Sequence, residues 1–308
     1  MDKLISVVQL VLPIFVTVFL GIFARRKKMF AGGEIQAFQR FVIKFCVPCL
    51  LFQSCLTAEV GAESLSALML PVLLLSGAVW GFRRGKKWFP HHNTPFIFCC
   101  KETGMLGIPL FMILFGVDQA YRVGILDVAQ AMIAFPMIAI LSAAPGASAS
   151  PKEVMKEMAK SPFLIMSVTG LTLNLSGAWD WMQTVGIDGI VTDTFSYLSQ
   201  PVSMLMLFCV GYNFTLTADN RNEIFKIAAA QMVMFLVFGL LLQGALFFFP
   251  AVDAMTRWAM LIYCLLPASY LAPSLGRTEK DSVVASGVCS VMTAFTLAAF
   301  CVIAAMVS

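Results

Sequence analysis

Charged residues are scarce in this chain. Asp, Glu, Lys and Arg make up 12% of its 308 residues, and there are two His. No polar stretch reaches the length of a domain, so a soluble catalytic module or a nucleic-acid-binding module is excluded, and no cofactor is expected. His91 and His92 follow a basic loop with no carboxylate beside them, which leaves a metal centre without a ligand set. A solvated loop or a contact with lipid is the expected setting for both. The nine Cys stand singly or in pairs inside apolar segments, unlike a secreted disulfide framework. Cys46 and Cys49 have redox spacing, but no second pair completes a metal site. The first apolar segment has no basic leader, so no cleavable signal peptide is expected.

What the chain does have is apolar length. Hydrophobic residues make up 59% of it, with a mean hydropathy of +0.86. A membrane span needs about 20 mostly apolar residues. Ten segments qualify: 4–24, 36–55, 65–82, 95–116, 121–143, 162–178, 191–212, 224–249, 256–275 and 282–305. The expected class is therefore an all-α polytopic membrane protein.

The cations alternate with these segments. Arg25 to Lys28, the "RRGKK" stretch, Lys152 with Lys156 and Lys160, Arg221 with Lys226, and Arg277 with Lys280 all follow odd-numbered spans. Lys3, Arg122 and Arg257 lie on the other side. By the positive-inside rule the odd-to-even loops face the cytoplasm and both termini lie outside, in a bacterial-type inner membrane.

The basic loop near mid-chain divides the spans into two sets of five. Residues 1–143 form one half, 144–161 a cytoplasmic linker and 162–308 the other half. Pro48 and Pro201 lie 153 residues apart, and Pro109 and Pro267 lie 158 apart. Five is odd, so equivalent spans cross in opposite directions, the inverted-repeat pattern of secondary transporters. Within the linker, "SPKEVMKEMAKS" reads as a short amphipathic helix with Lys and Glu on its solvated face.

The segment "FCCKETGMLGIPLF" breaks two membrane rules at once, carrying Lys101 and Glu102 and then Gly104, Gly107 and Pro109. A charge at mid-span costs about 2.5–3.5 kcal/mol, so it faces a cavity or a partner. Proline removes an amide donor and disrupts the turn before it. Matched prolines in both halves predict interrupted helices 4 and 9, whose half-helix N-termini attract an anion. The expected substrate-binding residues are Gly104, Gly107, Pro109, Gln200, Ser203, Pro267, Ser269 and Tyr270. Lys101, Glu102 and Asp127 are the candidates for charge or coupling, and Pro48 and Pro201 mark further helix breaks. The plainer readings are a Lys101 that snorkels to the cytoplasmic edge, an Asp127 at the outer boundary and prolines that merely bend their helices.

At these residues the chain resembles the auxin efflux carrier family. "VLPIFVTVFLGIFARRKKMF", "FCVPCLLFQS", "GMLGIPLFMILFG", "SYLSQPVSMLMLFCVG" and "LLPASYLAPSLGRTEKDSVVASGVCSVMTAF" resemble its first, second, fourth, seventh and last two helices. The resemblance covers nearly the whole chain. It implies ten helices in two inverted repeats, crossed helices 4 and 9 at the substrate site, and elevator-like alternating access. It also suggests a homodimer. Bacterial members are linked to export or exchange of small organic acids such as malonate, malate or lactate. The family commonly has Asn about seven residues before the first crossover proline, where this chain has Glu102.

The sequence reading is thus a secondary transporter of small organic anions, working by proton coupling or exchange, with the lipid bilayer as its surroundings. A sodium- or proton-linked carrier of a neutral or cationic substrate is one alternative, with Glu102 and Asp127 as cation ligands. A membrane sensor that does not transport is another.

Overall fold

The structure is a computed structural model that describes residues 2–58, 69, 72, 91–142, 156, 159–214, 220–247 and 252–307. The expected third span (65–82, apart from Met69 and Val72), the "RRGKK" loop and most of the 144–161 linker lie outside the described residues. The described chain is helical, and its one strand-like feature is a single antiparallel bridge.

Helix α1 covers Asp2–Arg26. Next come α2 (Gly32–Phe41), a single π-helical turn (Val42–Cys46) and α3 (Val47–Leu56), which together make one continuous rod. Glu34 caps its start by accepting from the Ala31 amide at 2.8 Å. Helix α4 is Thr94–Cys99, and a second π turn (Thr103–Gly107) leads into α5 (Ile108–Phe115). Gly116, at φ +89°, ends α5 in a conformation that side chains disfavour. Helix α6 is Tyr121–Ser142.

The later helices are α7 (Pro162–Leu175), α8 (Ala178–Val185), α9 (Asp188–Ser199), α10 (Pro201–Asn213), α11 (Arg221–Phe247), α12 (Ala254–Leu265) and α13 (Glu279–Val307). Among the described residues, five stretches are long and apolar enough to cross a membrane: Gly33–Leu56, Val117–Ile138, Asp188–Asn213, Arg221–Ala245 and Glu279–Val307.

Each π turn ends one residue short of a proline. Proline donates no hydrogen bond, so the carbonyl it would have served in an α-helix is left free. The π turn does not serve that carbonyl, which belongs to Lys44 or Met105, but closes a longer bond one residue ahead of each proline. The Val47 amide reaches the Val42 carbonyl ahead of Pro48, and the Ile108 amide reaches the Thr103 carbonyl ahead of Pro109. The rod therefore runs on through Pro48. At Pro201 the helix departs from regularity only at Gln200, which keeps right-handed helical angles.

Large apolar side chains such as Phe19, Leu240 and Met306 face outward, the expected dressing of a lipid-embedded surface. Inside, small residues let helices approach. A Cβ on Gly211 would lie 2.0 Å from the Val18 carbonyl oxygen, and one on Gly21 would lie 2.1 Å from that of Phe208, so α1 and α10 touch through bare backbone. Helices α3 and α7 do the same, since a Cβ on Gly170 would lie 2.5 Å from the Phe52 oxygen.

Two charge clusters tie helix ends together. Arg122, at the start of α6, bonds Gln119 and Asp253, and Asp253 caps α12 by accepting from the Thr256 amide. Burial would raise the Asp253 carboxyl, but the Thr256 bonds and the Arg122 charge outweigh it and hold it below its ordinary value. His91 departs from the solvated setting expected for it. It is buried, with Nδ1 2.7 Å from Asp281 and Nε2 2.8 Å from Glu223, and Lys280 also bonds Glu223. The chain brings the ends of α11 and α13 to a histidine that has no carboxylate near it in sequence.

Candidate functional site

Helix α4 stops at Cys99 and α12 stops at Leu265. Cys100 and Leu266 then take extended backbone angles, and the two interruptions run side by side. Lys101 and Ala268 form the antiparallel bridge. The Glu102 amide donates to the Pro267 carbonyl at 3.0 Å, and the Ser269 amide donates to the Cys100 carbonyl at 2.9 Å. Non-helical backbone at membrane depth must satisfy its polar groups internally, and the bonds across the bridge do this for the Cys100 and Pro267 carbonyls and the Glu102 and Ser269 amides. Gln130 on α6 accepts from the Lys101 amide at 2.6 Å and donates to the Lys101 carbonyl at 2.8 Å, acting as a third strand made of one side chain. Tyr263 holds Gln130 in turn, its hydroxyl donating at 2.9 Å. Thr296 on α13 donates to the Leu265 carbonyl.

The two adjacent charges go to opposite helix ends. The Lys101 side chain is 1% exposed, and its Nζ donates to the Leu266 carbonyl at 2.9 Å, just past the C-terminus of α12. The same ammonium lies 3.1 Å from the centroid of the Phe235 ring on α11. The Glu102 side chain caps the N-terminus of the helical run Thr103–Phe115. Its Oε1 accepts from the Met105 amide at 3.2 Å. Its Oε2 accepts from the Tyr270 amide at 2.6 Å, and the Ser269 hydroxyl also bonds the carboxylate. The carboxylate thus sits in a cradle of two amides and a hydroxyl drawn from both interruptions.

The other expected residues sit at varied distances from this point. Gly107 belongs to it, because a Cβ there would lie 2.8 Å from a Leu266 methyl, so the glycine lets the π turn approach the cut end of α12. Gly104 lies in the same π turn and faces open space. Pro109 is buried in the first turn of α5, and the Pro267 carbonyl joins the bridge. Asp127 accepts from the Thr103 hydroxyl, one residue beyond Glu102. Gln200, just before α10, is exposed and Ser203 on α10 is half-buried, and neither lines the cavity described next.

A cavity of about 370 Å³ adjoins the cradle. Arg25 and Asn213 line it from the ends of α1 and α10, Gln36 from the middle of α2, and Tyr270, Ser290 and Thr293 from the α12 interruption and mid-α13. Arg25 donates to the Phe214 carbonyl at 2.8 Å, which fixes a cation at the cavity wall. The Tyr270 hydroxyl and Thr293 share a hydrogen bond of 2.6 Å. Phe235, Gln36 and Thr293 escape the sequence reading, whereas Gln130 is placed there with Asp127 on one face of the fifth span. Each is an ordinary helix residue until the fold sets it beside an interruption. The cradle amides of Met105 and Tyr270 have no side-chain signature at all.

Apolar helices of spanning length, with paired interruptions and a polar cavity beside them, define an integral multi-pass membrane protein of the transporter class. Residues 6–302 match the family model described as membrane transport protein, the family that includes the auxin efflux carriers, and the chain belongs to it. A protein of Methanothermobacter thermautotrophicus described as an uncharacterized transporter is 25% identical over 207 residues, which cover 65% of this chain. The match spans 66% of that relative's length, just under two thirds.

Proposed function

We propose that the protein is a secondary active transporter of small organic anions, mono- or dicarboxylates, which reach the cradle through the cavity lined by Arg25. One observation carries this reading. The site already holds a carboxylate, that of Glu102, on the Met105 and Tyr270 amides. A substrate carboxylate has the same shape and charge, so the two compete for one place. Glu102 leaves the cradle when it takes up a proton, because the neutral acid has less to gain from two amide donors. Substrate then takes its place, which couples one proton to one carboxylate. The substrate-binding set is the cradle with Gly104, Gly107, Pro109, Pro267, Ser269 and Tyr270, and Asp127 is a second carboxylate near the coupling residue.

The transport cycle is alternating access of an elevator type, in two inverted repeats, 1–143 and 162–308. The helix contacts support that symmetry. α1 (span 1) packs on α10 (span 7), and α7 (span 6) packs on α3 (span 2), so each contact is the repeat-equivalent of the other and each is made through glycine. The cation distribution favours the inner membrane with both termini outside.

The test is uptake of labelled malonate, malate, lactate and indole-acetate into proteoliposomes, with and without an imposed proton gradient, for the wild type and Glu102→Gln. The expected result is saturable uptake that responds to the gradient in the wild type only. Uptake that ignores the gradient in both proteins removes the coupling role of Glu102. No uptake of any anion removes the anion reading, and sodium becomes the next variable.

A further inference from the structure

Among the described residues, Lys101 is the least exposed charge, at 1%. Taking an ammonium out of water costs several kcal/mol unless strong partners replace the water. Lys101 is fully enclosed, and the partners that face its Nζ are the Leu266 carbonyl, at 2.9 Å, and the face of Phe235, at 3.1 Å. Both attract positive charge. The carbonyl lies at the negative end of the α12 dipole, and the ring face is negative by its quadrupole. In carriers built on interrupted helices, the freed carbonyls at a half-helix C-terminus are where a coupling cation binds. One carbonyl and one ring face make a poor cage for a metal ion, which needs several oxygens. They suit a primary ammonium.

We propose that Lys101 is the carrier's built-in cation. Its ammonium occupies the place at the cut end of α12 that a free coupling cation would take, so this chain needs no sodium there. Glu102, the next residue, fills the opposite place at a half-helix N-terminus, and together they make the interrupted site complete without an external ion. The consequence for flux, transport that is indifferent to sodium, rests on the transport reading above. The cation site itself does not.

The test therefore reads stability, in purified full-length protein, by thermal unfolding in choline, sodium or methylammonium chloride at equal ionic strength. The wild type should unfold at the same temperature in all three. Lys101→Ala should unfold about 5–10 °C lower in choline and regain at least half of that in methylammonium, with a saturable dose dependence. Lys101→Met keeps the length and fills the space without the charge, so it should stay low in every salt. The proposal is overturned if Lys101→Met matches the wild type, if folded Lys101→Ala gains nothing from methylammonium, or if sodium stabilises the wild type over choline. Should Lys101→Ala fail to fold, the Met variant and the sodium comparison still decide. Failure of anion uptake would leave this result unaffected, so the two readings fail separately.

Discussion

The Tyr270 amide donates to Glu102 Oε2 at 2.6 Å, across 168 residues of chain, and so joins the two interruptions through a carboxylate rather than through backbone alone. An ionised side chain in that place is both a structural tie and an obstacle to any other anion. An obstacle present most of the time weakens apparent affinity by the fraction of time the site is free. Glu102→Ala should therefore bind malonate about tenfold more tightly than the wild type at neutral pH. Its affinity should also change little between pH 5 and 8, where the wild type improves as pH falls. Equilibrium binding to purified protein across that range checks both.

Gln130 is the only side chain described as bonding both polar groups of the Lys101 peptide. Leaving a buried amide and carbonyl unpaired costs roughly 1–3 kcal/mol each. Gln130→Ala should lose about 2–6 kcal/mol of stability, while Gln130→Glu, which keeps the acceptor, should lose less. Denaturation of the two variants side by side gives the order.

The α1–α10 contact has no room for a methyl group. Gly211→Ala would put a Cβ 2.0 Å from the Val18 oxygen, which only a backbone shift can relieve. Overpacking of this kind costs about 1–3 kcal/mol or more. Gly33→Ala is the control, since its Cβ would meet nothing within 4 Å. The first variant should unfold several degrees lower, and the second should match the wild type.

Asp253 supplies the pH-dependent term. Its carboxyl is held below the ordinary value, burial being outweighed by Thr256 and Arg122. A depressed carboxylate contributes stability above its unfolded pKa, near about 4. That contribution is lost as pH falls through the lower folded value. Asp253→Asn should thus be less stable than the wild type at pH 7, and the gap should close on acidification towards pH 3. Unfolding midpoints along that series test the sign.

His91 shows where sequence reasoning stops. Nothing within several residues of it suggests a buried site, yet Asp281 and Glu223 close on both ring nitrogens. One ring thus joins two carboxylates from two helices. His91→Gln should loosen the joint between α4, α11 and α13, and backbone hydrogen exchange at the first turns of α11 and α13 would report it.

Much of the architecture follows from the sequence alone. Helical segments of membrane length are dictated by apolar runs, because lipid cannot solvate an unpaired backbone. Interruption of segment 95–116 is legible in its Gly, Pro and charge content, and that of 256–275 in Pro267, since those residues cannot sit comfortably in a lipid-facing helix. Tertiary structure alone decided what fills the interruptions. That Gln130 replaces a missing strand, that Phe235 faces Lys101, and that Met105 and Tyr270 amides converge on Glu102 depend on residues 3 to 168 positions apart meeting in space. Backbone amides are the same in every residue but proline, so no local pattern marks the few that the fold turns toward a charge.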